Sequence, residues 1–307
     1  MEQSSPHLDA NDLLIFARVA ELGGLSAAAV RLGLPKSTVS RRLAALEAHL
    51  GERLVLRTTR RQALTEFGQL LLEHARQVVA EVDAVTALRE HRQAAPAGRL
   101  RVSMPGDFAN LLLADMLAAF AALYPGVSLE LDLSPRRVDL LGEGFDLAVR
   151  MGDLPDDTLL VARRLAAFPN GLYAAPDYLA ARGDPRQPDD LHRHDGVALL
   201  GASGEPLPWR LARDGQAWQG LPAVRIHANS PELLIRLARA GAGIAAVPDY
   251  FAEADLRQGR LRRVLADWQL PCPTAWAVFP GRKLMPGKTR AFLDMLQAAL
   301  TAPDAGT

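Results

Sequence analysis

A lone cysteine, Cys272, rules out two kinds of architecture in this 307-residue chain. No disulfide can close within it, and no multi-cysteine metal site can be built. Set between Pro271 and Pro273, Cys272 reads as a small passive residue, with a redox sensor as the alternative. Lysine is also scarce: only Lys36, Lys283 and Lys288 occur, and none stands in a glycine-rich phosphate loop. Net charge is missing too, because 35 basic residues balance 35 acidic ones, so the chain average says nothing about nucleic acid. The longest apolar stretch, Leu111 to Leu123, is interrupted by Asp115 and is too short to span a bilayer. No basic segment followed by an apolar run marks the N-terminus as a signal peptide. These absences predict a soluble, cytoplasmic protein without a membrane partner. At 49% hydrophobic and 23% charged residues it is not a disordered chain, and its length suits two or three domains.

What is present begins with SAAAVRLGLPKSTVSRRLAALEAHL, Ser26 to Leu50. Ser26 suits an N-cap, Gly33 a helix stop and Pro35 the opening of a second helix. Val39, Leu43, Leu46 and Leu50 step by four, three and four and so share one buried face. At about 100° per residue, Ser37, Arg41, Ala44 and Ala48 point the other way. Thr38 and Ser40 flank them, with Lys36 and Arg42 at the sides. A short polar and basic face on an anchored helix is what the DNA major groove accepts.

The charge of this region supports a helix-turn-helix. Between Arg31 and Arg61 the bases are Arg31, Lys36, Arg41, Arg42, Arg53, Arg57, Arg60 and Arg61, against Glu47 and Glu52. Eight minus two leaves a local surplus of six on a chain whose total is zero. Leu54-Val55-Leu56 and Ala63-Leu64 read as short strands around Arg57-Thr58-Thr59-Arg60-Arg61, a wing placed to reach phosphates or the minor groove. Upstream, Asp9 or Asn11 can cap a helix bearing Leu13, Leu14, Phe16, Ala17 and Ala20. Ser37, Thr38, Ser40 and Arg41, on a helix entered at Lys36, are assigned to base edges. Arg31, Arg42, Arg57, Arg60 and Arg61 are assigned mainly to phosphates.

Thr65 can cap a helix running to about Glu90. Its Leu71, Ala75, Val78, Val82 and Val85 form a heptad seam, which predicts pairing with a second copy of the chain. Packing on its own chain is the competing account. Ala94-Ala95-Pro96-Ala97-Gly98 then has the composition of a linker. Beyond Arg99, strand and helix patterns alternate, with a short helix expected at Arg137 to Leu141 and a polar region at Trp209 to Trp218. Such alternation predicts a largely parallel sheet covered by helices.

Catalytic and metal motifs are weak. Gly241-Ala242-Gly243 mimics a dinucleotide loop but leaves a helix and enters a strand, the reverse of the required order. His192 and His194, near Asp189, Asp190 and Asp195, have no specific metal spacing. Gly201-Ala202-Ser203-Gly204 lacks the nucleophile-elbow pattern. Neither a metal, a cofactor nor a catalytic residue is assigned.

The stretch DLLIFARVAELGGLSAAAVRLGLPKSTVSRRLAALEAHLGERLVLRTTRRQALTEFGQ resembles the winged helix-turn-helix of LysR-type transcriptional regulators. FDLAVRMGDLPD, APDYL and ARAGAGIAAVPDYF resemble recurrent stretches of that family's effector-binding domain. The likeness runs from Asp12 to about Leu300. It implies an α/β effector domain of two lobes similar to periplasmic solute-binding proteins, a small-molecule inducer between them, and a dimer of dimers. The expected organisation is a winged helix-turn-helix over 1–66, a dimerisation helix and linker over 67–97, and an effector domain over 98–307. Lobe I would take about 98–165 and 272–301, and lobe II about 166–271. RNA polymerase is a further expected partner, beside operator DNA and the effector. Where the family often has Ser or Thr after the first strand, this chain has Met104-Pro105-Gly106-Asp107.

Ligands of open α/β sheets sit beyond the carboxyl ends of the strands. This places Ser103, Asp107, Ser134, Pro135 and Arg150 at the effector from lobe I. Asn229 and Ser230 would face them from lobe II, at a helix start that offers N–H groups to an anion. Arg150 would grip a carboxylate or, alternatively, pair with Asp107 or Asp153. An enzyme carrying a DNA-binding module and a ligand-independent DNA-binding protein are the other readings.

Overall fold

Three helices come first among the described residues, and the first is capped as its sequence predicts. The computed structural model describes residues 8–57, 62–91, 95–134, 136–154, 160–201, 203–281 and 284–301. Helix α1 (Ala10–Glu21) starts at Asp9, whose carboxylate accepts the Asn11 N–H at 2.9 Å. Helix α2 (Leu25–Leu32) is entered from Gly24, not from Ser26. Left-handed Gly23, at φ 67°, turns the chain so that Ser26 already lies inside the first turn. Gly33 stops α2 at φ 63°, and α3 (Lys36–Leu50) follows Pro35.

Val39, Leu43 and Leu46 of α3 pack with Phe16, Ala17, Val19, Ala28 and Leu54 in one core. Each large apolar side chain fully buried there contributes about 1.5–3 kcal/mol. Strands β1 (Val55–Arg57) and β2 (Gln62–Leu64) pair antiparallel, as the wing requires.

The long helix α4 (Glu66–His91) begins where Thr65 Oγ1 accepts the Gly68 N–H at 2.9 Å. Gly68 passes so close to the Leu54 carbonyl that no Cβ would fit. The seam expected of α4 divides in two. Leu72 and Ala75 are buried, and Leu71, Val78 and Val79 pack partly buried on the helix-turn-helix core. Val85 is 66% exposed. The first half of α4 therefore packs on its own chain, and only the second half presents an apolar face outward.

The remainder forms two lobes. In lobe I, β3 (Gly98–Ser103) leads to α5 (Gly106–Phe108), a π-helical turn at 109–113 and α6 (Ala114–Leu123). Strands β4 (Val127–Asp132), β5 (Leu147–Met151) and β6 (Leu160–Ala167) follow. Lobe II contains β7 (Asn170–Ala174), α7 (Pro176–Arg182), β8 (Asp195–Leu199), β9 (Trp209–Arg213), β10 (Gln216–Gly220) and β11 (Ala223–Ala228). It continues with α8 (Pro231–Arg239), β12 (Ile244–Pro248), α9 (Glu253–Arg257) and β13 (Arg262–Val264). Strand β14 (Thr274–Pro280) and α10 (Gly287–Thr301) return to lobe I.

The sheet orders are β4-β3-β5-β14-β6 and β11-β8-β12-β7-β13. Each sheet has two parallel and two antiparallel pairings, so neither is largely parallel. The cause is the double crossover. β7 and β14 enter their lobes from the other lobe and run against the strands that end at the same edge.

Two local expectations also change. Residues 137–141 form no helix, because the Asp139 carboxylate accepts the Gly142 N–H at 3.0 Å and holds a turn instead. The Trp209–Trp218 region is a β-hairpin, turned at Asp214 and Gly215 with φ 48° and 79°. The helical run Gly106–Leu123 has a mean hydropathy of 1.5, long and apolar enough to cross a membrane by composition. The sequence pattern predicts a helix from Phe108 to Tyr124, and the helical run ends at Leu123. Phe108, Leu113, Met116 and Phe120 on it bury into the lobe I core with Phe292 and Leu296 of α10.

Candidate nucleic-acid interface and effector cleft

Helix α3 presents two faces of opposite character. Val39, Leu43 and Leu46 are buried, whereas Lys36, Ser37, Arg41, Ala44 and Ala48 are exposed and Thr38 and Ser40 half-buried. The Pro35 carbonyl accepts the Thr38 and Val39 N–H groups at 2.9 and 3.2 Å, which fixes the first turn. The four residues expected at base edges, with Lys36 beside them, thus lie on one accessible surface, with Arg41 near its middle.

Two of the arginines assigned to phosphates are turned toward protein. Arg42 donates to Asp9 Oδ2 at 2.6 Å and lies 2.6 Å from Asp12 Oδ1, locking α3 onto the start of α1. Arg31 rests its guanidinium against Gly144 in the loop before β5, leaving no room there for a Cβ. Burial, then Arg18, Arg101 and Arg99, lower its affinity for its proton. Arg42 is thus engaged by carboxylates of its own chain, whereas Arg31 is exposed and only lies against Gly144. Arg60 and Arg61 lie outside the described residues, as does the side chain of Arg57.

A residue that the sequence counted only as local negative charge proves to organise the wing. Glu47 Oε1 accepts the Leu54 N–H at 2.9 Å and the Val55 N–H at 3.2 Å, so α3 itself holds the root of β1. The signal was available: an acid on the last turn of α3, seven residues before Leu54 at the root of β1. Glu47→Ala is expected to cost about 1–3 kcal/mol of stability in the DNA-binding domain, the usual penalty for orphaned N–H groups. Chemical denaturation of the full chain, together with hydrogen exchange of Leu54 and Val55, measures this.

The effector residues divide into two groups. Asp107 and Ser230 meet across the lobes: Ser230 Oγ donates to Asp107 Oδ2 at 2.7 Å, and the Glu232 N–H donates to the same oxygen at 3.0 Å. The start of α8, expected to receive an anion, thus receives the carboxylate of Asp107. Ser230 also caps α8, accepting the Leu233 N–H at 3.1 Å. Asn229 is exposed.

Arg150 belongs elsewhere. It is half-buried and donates to the Val138 carbonyl at 3.2 Å, and among the described residues no carboxylate pairs with it. Neither Asp107 nor Asp153 fills the structural role considered for them. Burial, then Arg137, weaken the hold of Arg150 on its proton, while Asp132 acts the other way. Ser134 lies close by in the chain, its N–H bonded to Asp132 Oδ1 at 2.9 Å. Ser103 is fully buried at the end of β3, and its Oγ has no hydrogen-bond partner among the described residues. Pro135 lies outside the described residues.

The weaker motifs resolve into structure. Gly241 and Gly243, at φ 83° and 145°, make the turn from α8 to β12. His194 is buried against the Tyr178 hydroxyl at 3.2 Å, and burial lowers its pKa. Asp189 accepts the Trp218 indole N–H at 3.0 Å. Cys272 is exposed.

Comparison with known proteins agrees with this architecture. Residues 10–69 match the bacterial regulatory helix-turn-helix protein, lysR family, and residues 93–301 match the LysR substrate binding domain. An HTH-type transcriptional regulator of Xanthomonas campestris is 38% identical over 296 residues, covering 95% of this chain and 86% of that protein. The regulator PtxR of Pseudomonas aeruginosa is 36% identical over 294 residues, covering 96% and 94%. Among solved structures, CrgA of Neisseria meningitidis superposes with a TM-score of 0.60 at 30% identity, covering 96% of this chain and all of that one. The Vibrio cholerae virulence activator AphB gives 0.61 at 26% identity, covering 95% and 99%. With both of its parts matched in order along nearly its whole length, the chain belongs to the LysR-type family of transcriptional regulators.

Proposed function

We propose that this regulator binds a two-part operator through paired winged helix-turn-helix domains and answers to a small anionic effector held between its lobes. Ser37, Thr38, Ser40 and Arg41 read base edges, Lys36 lies beside them, and Arg57, Arg60 and Arg61 of the wing hold phosphates. The domains are assigned as 1–66, 67–97 and 98–307. Two copies join through the outer half of α4, two such dimers associate, and the assembly acts in the cytoplasm on double-stranded DNA and RNA polymerase. Its work is regulation, without a catalytic step.

The observation that carries the effector reading is Arg150. A half-buried guanidinium at the carboxyl end of β5, bonded among the described residues only to a carbonyl, has donors left for a carboxylate. Asp107 is an acceptor and Ser230 commits its proton to Asp107, so neither offers a donor to a carboxylate. Effector binding would change the angle between lobes and so the spacing of the DNA heads.

Genome-wide mapping of bound sites identifies the operator, and neighbouring genes suggest the metabolite. Arg150→Ala is then expected to keep operator binding and lose the effector response by tenfold or more in half-maximal concentration, about the worth of one charge-assisted pair. A variant that responds as the parent does excludes Arg150 from the site.

A further inference from the structure

We infer that Asp107 is an inter-lobe clasp: its carboxylate, lying in lobe I, closes the cleft by accepting the Ser230 hydroxyl and the Glu232 N–H of lobe II. The proposal rests on reading the space between the lobes as the effector cleft, and it assigns that cleft an internal means of closure.

The geometry singles out this contact. Asp107 is 123 residues from Ser230 and 125 from Glu232, yet one of its oxygens takes both bonds, at 2.7 and 3.0 Å. The crossovers themselves are tied together by the Phe168 N–H on the Pro273 carbonyl at 2.9 Å and by Asn170 Nδ2 on the Pro271 carbonyl at 2.9 Å. Away from those crossovers, the Asp107 bonds join the lobes directly. A carboxylate at the start of α8 lies where the helix dipole favours negative charge, and both bonds to it are charge-assisted. Because Ser230 Oγ accepts the Leu233 N–H, its own proton is free to be committed to Asp107.

Aromatic contacts extend the clasp to the hinge. Phe108, the residue after Asp107, meets Phe168 of the crossover edge-on at 5.6 Å, and Phe168 meets Tyr250 of lobe II at 5.2 Å. Burial first, and then the nearby charge of Asp107, raise the pKa of Tyr250, which stays a neutral phenol beside the clasp. Closing the lobes therefore joins one polar link and one apolar stack at the same place. An effector that spreads the lobes must break the polar link, and one that draws them together keeps it.

The test uses hydrogen exchange of the full-length protein without any metabolite. Asp107→Ala should speed exchange at the first turn of α8 in lobe II by roughly tenfold, the factor expected for one charge-assisted hydrogen bond. Ser230→Ala should speed exchange in lobe I, over residues 104–112, although Ser230 belongs to lobe II. Loss of an ordinary helix cap would leave lobe I unchanged. Asp107→Asn, which keeps the shape and removes the charge, provides a folded comparison and should also loosen α8. Changes confined to the lobe that carries the substitution would overturn the clasp. The readout is independent of any effector: a failed Arg150 response would leave the exchange result standing, and the converse also holds.

Discussion

Val85→Asp in the full-length chain should break the proposed α4 pairing, halve the mass of the assembly and lower operator affinity by about 10²–10⁴-fold, the worth of linking two DNA heads. The argument starts from how α4 spends its apolar residues. Leu72 and Ala75 are buried, and Leu71 and Val78 are partly buried on the helix-turn-helix core, so a substitution at Val78 would damage the DNA-binding domain itself. Val85 lies on the same seam one turn and more beyond that core and is 66% exposed. In a paired helix its symmetry mate would bring a second carboxylate into an apolar seam, a cost no local contact offsets. Sedimentation velocity of a folded variant measures the outcome. An unchanged profile would place the self-association surface elsewhere.

The division of α4 illustrates where the sequence stops being informative. A heptad pattern specifies that a face is apolar, but not whether another helix of the same chain or a second chain covers it. Here α1 covers the first half. By contrast, the faces of α3, the stop of α2 at Gly33 and the antiparallel wing were legible, because local periodicity and turn chemistry decide them. Asp214-Gly215 is a hairpin signal of the same local kind, set in a stretch whose composition alone says only that it is polar.

Long-range partners were the least legible part. Arg42 and Arg41 are neighbours in sequence, yet one is bonded to Asp9 and the other faces outward, a difference set by the packing of α3 on α1. The position of Asp107 after β3 put it among the residues expected at the cleft. That Ser230 would bond to it followed only from the relative placement of two lobes. The mixed sheets have the same origin: composition separates strand from helix, but the direction of β7 and β14 depends on where the chain crosses between lobes.

Arg41→Ala should reduce specific binding by about 1–3 kcal/mol per half-site, some 5- to 150-fold, and relax base preference at one position in each half. The side chain is exposed at the centre of the α3 face and, among the described residues, is engaged by no carboxylate. Its guanidinium is therefore available for the bidentate contact that a guanine edge offers. Arg42→Ala is the internal contrast. Its partners Asp9 and Asp12 belong to the protein, so its loss should lower the stability of the domain by up to about 1 kcal/mol, the range for a partly exposed pair, with sequence preference unchanged. Competition binding against operators randomised at single positions, run at several salt concentrations, separates the two. Specificity lost with Arg42 and kept without Arg41 would reverse the assignment and rotate α3 in the groove by the angle between adjacent residues.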